Sequence, residues 1–144
     1  MQLDKTDKKI LQILYSDGRA SIKSIAEQTF ISAPTVAARI DNLRRIGVIS
    51  GFYADINPES FGSVVRAYVE MSVDPEKRET LFSHLESVPQ VLKCCRITGE
   101  HSLLIEVIFR NIEELDNFTI NLQHYGTTKT QIIFSTIIKH RPFI

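Results

Sequence analysis

The chain has 144 residues, 17 basic and 17 acidic side chains, 43% hydrophobic content and two cysteines. That composition fits one globular domain or two small ones, and no apolar run is long enough to span a bilayer. The net charge of zero hides an asymmetry: residues 1–50 hold eight basic against five acidic side chains, a balance of +3 that leaves −3 for the remainder. A front half that meets a polyanion and a back half that does not would carry such a split. The first residues, Met1-Gln2-Leu3-Asp4-Lys5-Thr6-Asp7, are polar and acidic, unlike a signal peptide, so a cytoplasmic location is expected.

Three helices are predicted in the front half. The first begins at Asp4, with Asp7 three residues on, buries Ile10, Leu11 and Leu14, and ends at Asp17-Gly18. The second starts at Ser21 and turns Ile22, Ile25 and Ala26 inward, stopping near Phe30-Ile31, an apolar pair expected to anchor a tight turn. Ser32 caps the third; Pro34 lies in its first turn, where a missing N–H costs nothing, so the Ser32 side chain should accept from the Thr35 amide. Val36, Ile40 and Leu43 repeat at i, i+4 and i+7 as the buried stripe, and Gly47 closes the helix.

The other face of the third helix is lean. Ala33, Pro34, Ala37 and Ala38 allow close approach to another surface, and Arg39 offers a donor fork that suits the O6/N7 edge of guanine or a phosphate. Two helices joined by a short turn, the second with a lean and basic outer face, form a helix-turn-helix pattern whose partner is double-stranded DNA. The candidate DNA-binding residues are Ser21, Lys23, Ser32, Ala33, Pro34, Thr35, Ala38, Arg39, Asn42 and Arg45. The competing reading is a three-helix bundle with a merely solvated Arg39.

From Val48 to Ile56 the residues favour β-structure, as a short wing hairpin or a strand leading out of the domain. Asn57 to Gly62 then breaks regularity as a linker should. In the back half, residues 64–73 alternate as a strand, and Asp74 is expected to cap a helix carrying Pro75 in its first turn and Leu81, Phe82, Leu85 and Val88 inward. Strands are predicted at 91–98 and 103–109, joined by a Gly99-Glu100-His101-Ser102 hairpin turn. Asn111 and Glu114 form a capping box for a second helix, and a last strand spans 128–138. The fold class is therefore α+β: a winged helix-turn-helix domain joined to a ferredoxin-like βαββαβ domain, with residues 1–50 binding DNA, 51–62 as wing and linker, and 63–144 as the second domain.

Two helices cover only one face of such a sheet. In the last two strands apolar residues occupy both registers, so Leu104, Ile108, Ile133 and Ile137 are expected on the second face, covered by another copy of the chain. Cys94-Cys95 is unsuited to a disulfide and is expected as a pair of buried strand thiols. His84, His101, His124 and His140 show no ligand spacing, and no phosphate loop or nucleophile elbow is present, so no metal, cofactor or catalytic residue is expected.

End to end, the chain resembles the Lrp/AsnC, or feast/famine, family of transcription regulators. The resemblance rests on "LDKTDKKILQILYSDGRASIKSIAEQ", on Ser32, Val36, Arg39, Ile40, Leu43 and Gly47-Val48-Ile49, and on "GFYADINPESFG". Gly99, "NIEELDNF" and Thr128-Lys129-Thr130 carry it through the back half. It implies dimerisation through the sheet, assembly into tetramers or octamers, and an amino-acid effector bound between dimers. The expected effector residues are Gly99, Glu100, His101, Ser102, Thr128 and Thr130. Many members carry Asp followed by Tyr where this chain has Ser102-Leu103, so a weak response to leucine is expected, because a carboxylate is the natural partner of an ammonium group. Alanine at 37 and 38, where polar base readers are common in the family, shifts the expected specificity toward Arg39, Thr35 and DNA shape. An architectural protein that bends or wraps DNA with little effector control is the alternative.

Overall fold

The computed structural model describes residues 3–62 and 64–138, which divide into two compact units, one running up to Ile56 and one from Asn57 to Ile137. The first unit holds α1 (Lys5–Ser16), α2 (Ile22–Thr29) and α3 (Ala33–Arg45). Each start is fixed locally. Asp4 and Asp7 form a reciprocal capping box, Ser21 accepts from the Ser24 amide, and Ser32 accepts from the Thr35 amide at 3.3 Å. Ile10, Ile25, Val36, Ile40 and Leu43 make the core, with Leu11, Leu14, Ala26 and Ile31 packed at its edge.

Three expectations fail in this unit, the first being Ile22, which lies exposed on the first turn of α2 and outside the core. Ile31 packs inward, whereas Phe30 ends α2 in a left-handed conformation with its ring 93% exposed, so the turn is anchored by one apolar residue and not two. Residues 48–56 form no strand ladder: the Val48 and Ile49 amides donate back to the Leu43 carbonyl at the end of α3, and no described strand pairs with the residues that follow. Phe52, Tyr53 and Ile56 are consequently exposed.

The second unit begins with a 3-10 turn at Pro58–Phe61 and continues as β1 (Val65–Val73), a 3-10 turn (Pro75–Lys77), α4 (Arg78–Ser87), β2 (Val91–Arg96), β3 (Leu103–Phe109), α5 (Ile112–Leu122) and β4 (Gly126–Ile132). The sheet order is β2-β3-β1-β4, antiparallel throughout, as the split βαβ topology requires. Ala67, Val69 and Met71 of β1 and Leu103, Ile105, Val107 and Phe109 of β3 face Leu81, Leu85, Leu115, Phe118 and Leu122 of the helices.

Several boundaries differ from expectation for local reasons. The Asp74 side chain caps nothing; it pairs with Lys77 at 3.0 Å, and α4 starts only after the 3-10 turn. Asn111 caps α5 as expected, but Glu114 reaches the Arg110 amide instead of completing the box. The last strand ends at Ile132, six residues early, because β1 offers no partner past Ala67 except one bond from the Ile133 amide to the Arg66 carbonyl. Gly126 opens that strand so close to β1 that a Cβ there would lie 1.9 Å from the Ser72 carbonyl oxygen. His140 lies outside the described residues.

Candidate nucleic-acid interface and effector region

Burial divides α3 cleanly. Val36, Ile40 and Leu43 are buried, while Pro34, Thr35, Ala38, Asn42 and Arg45 are exposed along the opposite side. Ser32 precedes this stripe and Ala33 is half-buried beside it; Ser21 and Lys23 are exposed at the start of α2. The local sequence causes the division, since the residues between the apolar repeats are small or polar. Ser32 and Thr35 also share a hydroxyl–hydroxyl bond of 2.7 Å, and Arg45 donates to the Asn42 side chain.

Arg39 is paired within the protein, not merely solvated. Its Nη1 donates at 2.7 Å to Asp4 and at 2.7 Å to Asp7, so its charge ties α3 to the start of α1. The Asp7 amide first, then Arg39, hold the Asp4 carboxyl below its ordinary range, and the two carboxylates raise Arg39 in turn. The reason lies in position: Arg39 is half-buried at the margin of the core stripe, within reach of the helix beside it. Both bonds use Nη1, so this ion pair competes with any base or phosphate contact made by the same group.

The expected effector residues fall into two groups. Gly99 adopts φ 121° in the β2–β3 turn, which favours glycine. Next to it the Ser72 hydroxyl donates to the Glu100 carbonyl at 3.2 Å and lies 3.1 Å from His101 Nδ1. His101 Nε2 is 4.0 Å from Glu70, whose other oxygen accepts from Gln131 at 2.6 Å. The Ser102 amide donates to the Met71 carbonyl. Thr128 and Thr130 stand opposite Met71 and Val69, on the helix-covered side of the sheet, whereas Glu70 and Ser72, with His101 beside them, belong to the other side. Within one chain the two groups do not meet.

The uncovered sheet face is mixed. Leu104 and Ile108 are half-buried there, beside an Arg66–Glu106 pair at 2.9 Å. Ile133 lies just past the end of β4, tied to β1 only by its amide bond to Arg66, and Ile137 is 89% exposed outside any strand, contrary to the expected strand to 138. Cys94 is exposed and Cys95 half-buried, not a buried pair; desolvation and then the neighbouring Cys95 push the Cys94 thiol up, away from the reactive thiolate.

An open cleft of about 540 Å³, unexpected from sequence, lies between α4 and α5, over Val88, Phe109 and Phe118 with Arg110, Asn117 and Asn121 at its rim. It shares no residue with the expected effector set. Its lining comes from four separate segments, which no local motif links. Among the described residues no helix is long and apolar enough to cross a membrane, and no group of histidine, cysteine or acidic side chains could hold a metal ion.

Residues 3–50 match the model of a winged helix-turn-helix DNA-binding domain, and residues 66–143 match that of the Lrp/AsnC ligand binding domain. The transcriptional regulator FL11 of Pyrococcus horikoshii is 35% identical over 116 residues, which cover 81% of this chain and 77% of that protein. LrpC of Bacillus subtilis is 27% identical over 137 residues, 95% of each chain, and its solved structure superposes with a TM-score of 0.91 over 97% of this chain and all of that one. A feast or famine regulatory protein of M. tuberculosis, solved in complex with L-methionine, gives a TM-score of 0.92 at 28% identity over 99% of both chains. Both of these relatives, FL11 and LrpC, are HTH-type transcriptional regulators. With both of its units matched in order, the chain belongs to the Lrp/AsnC family of helix-turn-helix transcriptional regulators.

Proposed function

We propose that this regulator binds specific duplex sequences as a dimer or larger assembly and that an amino acid modulates it. The carrying observation is the exposed stripe Pro34, Thr35, Ala38, Asn42 and Arg45, which continues from a capped N-terminus and is free of bulky side chains up to the third turn of α3. Such a surface fits the major groove closely, with Asn42, Arg45 and Lys23 suited to the flanking phosphates. Arg39 acts in this reading by holding α3 against α1. Support for self-association comes from Leu104 and Ile108 on a sheet face that α4 and α5 do not cover.

The effector reading draws on neighbours solved with L-methionine and on the Gly99 turn, which offers backbone amides, the Glu100 carboxylate and the Ser102 hydroxyl. Because Thr128 and Thr130 lie across the sheet from His101, a complete site in this reading takes its second group from another copy. One experiment joins the three parts: light scattering and a gel-shift titration on the same preparation, with and without L-methionine. An assembly of two or more chains, nanomolar binding to a selected duplex, and a change in either on adding L-methionine are expected. Gly99→Asp should abolish the response to L-methionine, because any side chain is strained at that backbone conformation.

An architectural reading has one observation in its favour. Ser72 already bonds His101 and the Glu100 carbonyl, and Glu70 accepts from Gln131, which leaves fewer free groups beside the turn for a ligand. Tight DNA binding that ignores every amino acid tested and shows little preference among duplexes would select it.

A further inference from the structure

Among the described residues Phe30 is the one non-glycine with positive φ, at φ 57° and ψ 34°. An L side chain is disfavoured there because its Cβ crowds the following carbonyl oxygen. Packing could offset that strain, yet the ring is 93% exposed and Ile31 takes the inward place. Strain and a wet aromatic ring thus coincide at one residue, in the turn leading into α3. The left-handed residue is the C-cap that ends α2 ahead of α3, so the fold accounts for the backbone and leaves the exposed ring without a partner.

The neighbouring surface indicates what the ring meets. The first turns of α3 expose Pro34, Thr35 and Ala38, all without charge. The Thr35 and Ser32 hydroxyls share one hydrogen bond, which uses one of their two hydrogens, and Thr35 adds a methyl group. Arg39 is held by Asp4 and Asp7. Pro34, Ala38 and the Thr35 methyl thus make the exposed surface at the entering end of the helix largely apolar, with few donors of the kind needed to read guanine. In the major groove the apolar group on a base edge is the thymine 5-methyl, a contact made by aromatic rings and by alanine and threonine methyls.

We infer that Phe30, together with Ala38 and the Thr35 methyl, reads thymine 5-methyl groups, so the positions facing this end of α3 are A·T pairs. This rests on the DNA-binding reading above and names the chemistry of its specificity. The strained backbone is what lifts the ring clear of the protein core to reach the duplex.

The test uses the full chain and the tightest duplex recovered from a random library, made once with thymine and once with deoxyuridine, which differs only by the methyl. Fluorescence anisotropy should show the wild type losing about tenfold in affinity on deoxyuridine DNA, the effect of a few buried methyl groups. Phe30→Gly should bind thymine DNA about tenfold more weakly and lose most of its sensitivity to deoxyuridine. Its thermal midpoint should stay or rise by about 2 °C, since glycine accepts the left-handed backbone. Weaker DNA binding without loss of stability is what a merely structural role would not produce. Equal wild-type affinity for the two duplexes overturns the inference, as does a Phe30→Gly protein with undiminished DNA affinity or with full deoxyuridine sensitivity. A change of assembly mass in Phe30→Gly also overturns it, by assigning the ring to a protein contact. Failure to recover any duplex overturns the regulator reading itself, a distinguishable result.

Discussion

The guanidinium of Arg39 meets two carboxylates that cap the first turn of α1, so one cation serves both a helix terminus and a helix–helix contact. Exposed ion pairs contribute little singly, but this one is shared and part-sheltered, with Asp7 only 18% exposed. Arg39→Ala should destabilise the protein by about 1 kcal/mol, at the upper end for such pairs, and a cycle with Asp7→Asn should be less than additive. Urea denaturation measures both; full additivity would mean that the pair contributes nothing. The Asp4 carboxyl lies below its ordinary value of 3.8, so its contribution is complete above that pH and is lost as pH falls through the lower folded value. Denaturation midpoints followed from pH 6 downward should therefore fall less steeply below about pH 4 in Asp4→Asn than in the wild type.

Secondary elements fall into those set by neighbours in sequence and those set by distant partners. Caps belong to the first kind: Asp4, Ser21, Ser32 and Asn111 each accept from an amide three residues on, a spacing visible before any fold is known. The register of β4 belongs to the second kind. Gly126 permits the β1 backbone to approach, and a methyl group 1.9 Å from the Ser72 carbonyl has no side chain to push aside. Gly126→Ala should cost about 3 kcal/mol or separate β4 from β1, seen as lost amide protection at Thr128 and Thr130 in hydrogen exchange. Unchanged stability and protection would show that the strand tolerates the shift. The same distinction explains what the sequence revealed. Helices, strand order and the lean α3 face were legible because periodicity and capping are local. The Arg39 pairing spans 32 and 35 residues, and the silent stretch at 48–56 lacks a partner strand; no local pattern encodes either. Phe30 misled because an apolar residue beside a helix end ordinarily points inward.

On the scale of the whole molecule, opposite charges on the two halves cancel, so a distant polyanion feels little net attraction. Binding should depend on a few close phosphate contacts instead. Lys23 and Arg45 are exposed, at the start of α2 and the end of α3. Lys23→Ala should weaken binding to all duplexes alike and reduce the slope of log K against log salt by about one for each bound protomer. An unchanged slope would remove Lys23 from the interface. Association through the uncovered sheet face is tested in the same way at this scale: Ile108→Glu would bury an unpaired carboxylate against the partner, at a cost of several kcal/mol. Light scattering should then report monomers or aggregates; an intact assembly would place the contact elsewhere.

The exposed side of α3 also has a thermal consequence. Ala33, Pro34, Ala37 and Ala38 have no side-chain rotamers to freeze, and Thr35 is already fixed by its bond to Ser32. Docking a lysine- or glutamine-rich helix would immobilise many torsions, each opposing association. This helix arrives with its shape already set, so the heat of complex formation is expected to vary strongly with temperature, through apolar surface leaving water, while the ordering of its side chains adds little opposing entropy.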